Sequence, residues 1–100
     1  MIKKYKQAGY NPKYPMEIEA WDTKGDIPEW LSDRAKIIIN PFNEYALKTR
    51  PTSSGGIEIM NSEDTAVLIS TRFKDDLICW GDQTLFILTK KQLELLYDQC

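Results

Sequence analysis

The chain has 100 residues, of which 42% are hydrophobic and 28% charged, with a formal net charge of −2. This is the size and composition of one globular domain with one core, which argues against global disorder. Apolar runs such as Ile37–Ile39 fall far short of the ~20 residues that a membrane helix needs.

Residues 1–15 hold Lys3, Lys4, Lys6 and Lys13 and no acid, so the other nine basic and all fifteen acidic residues leave −6 on residues 16–100. The reading is a basic N-terminal arm, residues 1–15, before a single acidic domain, residues 16–100. Tyr5, Tyr10 and Tyr14 between the lysines give the arm the character of a nucleic-acid contact, while an ordinary solubilising terminus is the simpler reading and the one preferred.

Met16–Trp21 alternates apolar and acidic residues, the period of a strand with one wet face. Asp26 is placed to cap a short helix in which Ile27, Trp30, Leu31 and Ala35 share a face, ending near Ala35. Lys36–Ile39 reads as a β-branched strand stopped by Asn40-Pro41, and Tyr45–Lys48 as a weaker one. Arg50–Gly56 is a loop rich in Ser, Thr, Pro and Gly. Ile57–Met60 and Thr65–Ser70 flank Asn61-Ser62-Glu63-Asp64 as a hairpin, and Leu77–Trp80 and Thr84–Leu88 flank Gly81-Asp82-Gln83 as another. Thr89 and Gln92 have capping-box spacing, ahead of a helix whose Leu93, Leu96 and Tyr97 form one stripe with Leu95 on its flank. The predicted class is α+β: a small, mostly antiparallel sheet with a short helix after the first strand and a C-terminal helix packed on the sheet.

Particular residues in this order carry a resemblance. They are the leader Lys3-Lys4-Tyr5-Lys6, the strand Glu17-Ile18-Glu19-Ala20-Trp21 and the helix Ile27-Pro28-Glu29-Trp30-Leu31. The closing unit adds Asp76-Leu77-Ile78-Cys79-Trp80-Gly81, then Leu85-Phe86-Ile87 and Gln92-Leu93-Glu94-Leu95-Leu96-Tyr97. The pattern resembles a group of short bacteriophage- and prophage-encoded proteins. Residues 40–56 depart from it by their length, and Arg72-Phe73-Lys74 by standing where a turn glycine is usual. The resemblance implies a phage or prophage origin and a compact α+β fold; it brings no catalytic residue.

The chain contains no histidine, which removes the commonest general base, the commonest zinc ligand and every Ser-His or Cys-His pair. Cys79 and Cys100 cannot build a Cys-rich zinc site, and Cys79 in an apolar run reads as a small buried hydrophobe. Met1-Ile2-Lys3-Lys4 leads into polar sequence rather than a secretory h-region, so a reducing cytoplasm is expected. Asp75, Asp76 and Asp82 are the nearest approach to a Mg²⁺ site, but neighbouring strand residues diverge. No cofactor and no metal is expected.

Arg50 beside Ser53, Ser54 and Gly55 offers a guanidinium fork and open backbone for a phosphate, and Arg72 a second positive group. Trp21 or Trp80 would supply a stacking ring. The same loop also reads as a connector, and the tryptophans as core. The resulting expectation is a small phage-encoded accessory or anti-defence protein in the bacterial host cytoplasm, binding a host protein without catalysis. Sequestration of a nucleotide-type immune signal through Arg50, Ser53, Ser54, Gly55, Arg72, Trp21 and Trp80 is one alternative. Nucleic-acid binding through the arm is another, made unlikely by the acidic body; no membrane partner is expected, and homo-oligomerisation stays open.

Overall fold

The structure, a computed structural model, describes residues 1–38, 47–61 and 67–100. Within them the chain forms two compact units, one of residues 1–25 and 75–100, the other of residues 26–74.

In the first unit, β1 (Ile2–Gln7), β2 (Glu17–Trp21), β6 (Asp76–Gly81), β7 (Thr84–Thr89) and β8 (Tyr97–Gln99) form an open antiparallel sheet in the order β7-β6-β2-β1-β8. The register pairs Tyr5 with Ile18, Ala20 with Cys79 and Cys79 with Phe86. Because side chains alternate across a strand, these residues share one face, and α2 (Lys90–Leu96) supplies Leu93 to it. Ile18, Ala20, Cys79, Leu88, Leu93 and Tyr97 form the resulting core, with Tyr5, Tyr14, Leu77, Phe86 and Leu96 against it. Buried Tyr97 keeps its hydroxyl satisfied by donating to the Pro15 carbonyl at 2.6 Å, as an amphipathic ring at a core margin must.

The start of α2 follows the sequence closely. The Gln92 amide donates to Thr89 Oγ1 at 3.1 Å and the Thr89 amide donates to Gln92 Oε1 at 2.9 Å, satisfying two donors that a helix start leaves orphaned. Leu93 and Tyr97 are buried, Leu96 is half-buried and Leu95 is 74% exposed. Between β6 and β7, Asp82 and Gln83 have φ of 47° and 58°, the left-handed pair of a two-residue turn whose twist suits a hairpin.

The second unit holds α1 (Glu29–Ile38) and the antiparallel sheet β3 (Leu47–Pro51), β4 (Ile57–Asn61) and β5 (Val67–Ser70), in that order. Ile59 and Met60 are both buried although they are neighbours; the regular register of β4 with β3 points them to opposite faces, so both faces of β4 are covered there, and the register shift with β5 leaves Leu68 as the extra residue of a bulge on β5. Buried Gly56 lies tight against Thr71, and the pair is tied by the Thr71 amide donating to the Ile57 carbonyl at 2.8 Å and the Ile57 amide donating to Thr71 Oγ1 at 2.9 Å.

The α+β expectation is corrected. Among the described residues strand outweighs helix, eight strands against two helices, in two sheets rather than one. The short helix follows the second strand, and β8 follows α2. Residues 2–7, read as part of an arm, form β1 between β2 and β8. Three lysines in a strand of six mask its period, yet paired on both sides its backbone is satisfied while the lysines stay exposed. Residues 36–38, read as strand, continue α1; β-branched residues lose only a little helix propensity, which context overrides. That helix starts at Glu29, with the Pro28 carbonyl accepting from the Leu31 and Ser32 amides, rather than directly after Asp26. Of the other expected features, the Asn40-Pro41 stop, the first part of Tyr45–Lys48, the turn at 62–64 and Thr65 lie outside the described residues.

Candidate functional site

On the sheet face opposite the core, the register sets Lys4 opposite Glu19 and Glu19 opposite Trp80. These three side chains form one row across β1, β2 and β6. Glu17 lies two residues before Glu19 on the same face, and the left-handed turn brings Asp82 to the end of the row. Together with Tyr5, Ile18, Gly81 and Cys100 they line an open groove of about 400 Å³. A β-carbon on Gly81 would sit 2.6 Å from the Glu17 carbonyl oxygen and 2.7 Å from Ile18 Cγ2, so only glycine lets the strands approach this closely.

The groove carries three side-chain carboxylates against the single ammonium of Lys4. Glu17, Asp82 and Lys4 are exposed, while Glu19 and Trp80 are half-buried. Such a row suits a cationic group with an apolar stem: carboxylates face its charge, and an indole offers both apolar area and its electron-rich face. Of this row the sequence points to Trp80 as a stacking ring and to Lys4 only as part of a basic arm. Glu17 and Glu19 look like solvated charge until the sheet order aligns them with Lys4 and Trp80.

The residues singled out for a phosphate are divided between the units. Arg50, Ser53, Ser54, Gly55 and Arg72 belong to the second, Trp21 and Trp80 to the first. Arg50 lies on β3 opposite Glu58 on β4, and its Nη2 donates to Glu58 Oε2 at 2.9 Å. Ser53 is exposed; Ser54 donates its hydroxyl to the Arg72 carbonyl, and Gly55 has φ 96° in a turn closed by Thr52 and Gly56. Trp21 is 0% exposed and donates Nε1 to the Lys24 carbonyl at 2.9 Å, so its ring has no free face for a ligand.

Asp75, in the turn before β6, is exposed, and Asp76, the first residue of β6, is buried. Among the described residues no three His, Cys, Asp or Glu side chains gather closely enough to hold a metal ion. Burial pushes the Cys79 thiol up to about 12 and also raises the Tyr5 and Tyr97 phenols. All three are therefore neutral at pH 7, and the Cys79 thiol lacks the ionisation a nucleophile needs. Among the described residues no helix is long and apolar enough to cross a membrane. No protein-family model, curated protein or solved structure matches the chain.

Proposed function

We propose that this chain is a non-catalytic binding protein that holds a basic segment of a partner protein in the groove of the five-stranded sheet. The carrying observation is the row Lys4–Glu19–Trp80 with Glu17 and Asp82 beside it, a carboxylate-rich concavity with a half-buried indole. An Arg or Lys side chain of the partner would lay its stem on Trp80 and its charge between Glu17, Glu19 and Asp82. The resemblance to phage-encoded proteins makes a host protein the partner class and the bacterial cytoplasm the setting. The nucleotide reading has less support, because Arg50 is already engaged by Glu58 and Trp21 is enclosed.

The test is calorimetric titration with an arginine-rich peptide and, as control, an oligoglutamate, on the wild type and on Glu19→Lys. The basic peptide alone should bind, and charge reversal at the half-buried carboxylate should weaken it roughly tenfold to a hundredfold. Equal affinity in the two proteins, or no binding of any basic peptide, overturns the groove reading.

A further inference from the structure

An exposed strand edge is a template for another strand unless something blunts it. The five-stranded sheet ends in β7 and β8, and the three-stranded sheet in β3 and β5. Three of these edges are blunted. β8 has three residues, one of them Asp98; β3 carries Lys48, Arg50 and Pro51; β5 has four residues and itself carries a bulge at Leu68.

β7 has none of these devices. Its six residues, Thr-Leu-Phe-Ile-Leu-Thr, contain no charge and no proline, and all six pair with β6 without a register shift. Leu85, Phe86 and Ile87 are each half-buried, so a run of three apolar side chains borders water. The two-residue turn makes Gly81 and Thr84 a hydrogen-bonded pair, so Phe86 and Leu88 also bond towards β6. Leu85 and Ile87 therefore turn their N–H and C=O groups outward, and among the described residues nothing pairs with them. The rim closes at Thr89, whose amide is taken by Gln92 Oε1.

The ends of this edge carry opposite charge. Asp82 stands in the turn before β7, and Lys90 and Lys91 open α2 after it. We propose that β7 is a homodimer interface, in which two copies pair β7 antiparallel about a two-fold axis at Phe86. Leu85 of each copy then exchanges both backbone hydrogen bonds with Ile87 of the other, and the two sheets become one. The antiparallel direction brings Asp82 of each copy towards Lys90 and Lys91 of the other. A parallel pair would set Asp82 against Asp82. A strand with no charge of its own, ending in opposite charges, is complementary to a second copy of itself.

The test uses the chain alone and needs no basic peptide, so it is independent of the groove reading. Sedimentation equilibrium should show a reversible monomer–dimer equilibrium. Ile87→Lys should shift it to monomer with an unchanged circular dichroism spectrum, since this side chain is half-buried at the rim. The axis is read in a Cys100→Ser background. Phe86→Cys places two cysteines opposite each other with Cα atoms about 4.5 Å apart, within disulfide reach, and should give a linked dimer on mild oxidation. Thr84→Cys places them four residues apart along the ladder, about 13 Å, and should not. A wild-type chain that stays monomeric up to about 1 mM, or cross-linking at residue 84 equal to that at residue 86, overturns the proposal.

Discussion

Replacing Gly56 by alanine tests how the loop of the second unit is held. The added methyl would lie 2.2 Å from the Thr71 carbonyl oxygen, 2.6 Å from its carbon and 2.7 Å from Oγ1, all inside the 3.0 Å that such contacts essentially never breach. Two of these atoms are backbone, so no rotamer change relieves the clash and the strand end must move away. That movement strains the packing by about 1–3 kcal/mol. It also loosens the two bonds that join Ile57 and Thr71, each worth about 1 kcal/mol. The expected loss is about 3–5 kcal/mol, which lowers Tm by roughly 12–40 °C, measured by thermal and urea unfolding followed by circular dichroism. Gly9→Ala is the control: nothing lies within 4 Å of its added carbon, and its effect should stay within about 0.5 kcal/mol. If Gly56→Ala is as mild as Gly9→Ala, the tight approach of Gly56 to Thr71 is wrong. Thr71→Val probes the same contact without adding volume; it leaves the half-buried Ile57 amide without its acceptor and should cost about 1–3 kcal/mol.

Leu93→Ala should cost about 2–5 kcal/mol in urea denaturation, because Leu93 is 3% exposed in the core cluster, whereas 74% exposed Leu95 should give less than about 0.5 kcal/mol. Equal effects would mean that α2 is not docked through Leu93. Thr89→Ala removes the hydroxyl half of the capping box and should lower stability by about 1 kcal/mol; no change would place the cap elsewhere. Burial raises the Cys79 thiol from 9.0 to about 12, so the folded protein holds this proton more tightly than the unfolded chain does. Its contribution is complete below the unfolded value and is lost as pH rises towards the folded one. The urea midpoint should therefore fall above about pH 9 more steeply than in Cys79→Ala. At neutral pH a thiol reagent should modify exposed Cys100 and leave Cys79 untouched until the protein unfolds.

Local chemistry is legible in the sequence because its partners are near one another in the chain. Thr89 and Gln92 meet across one helical turn, and Asp82 and Gln83 turn the chain between two apolar runs, so residue spacing alone points to the capping box and the β6–β7 hairpin. The stripe through Leu93 and Tyr97 and the alternation of Met16–Trp21 are equally local. The tertiary structure decides what depends on partners far along the chain. Ile2–Gln7 carries too many lysines to show a strand period, and its backbone finds its bonds only between Glu17–Trp21 on one side and Tyr97–Gln99 on the other. The candidate groove has the same origin: Lys4, Glu19 and Trp80 become one row through the register of three strands, and no spacing in the sequence encodes that alignment. The tryptophans show the limit most directly. Trp21 and Trp80 both sit near the end of an apolar strand, yet Trp21 is enclosed with its Nε1 bonded to Lys24 while Trp80 stands half-open beside carboxylates. Their ring chemistry is the same; burial decides which can meet a partner, and burial belongs to the packed fold rather than to the residue.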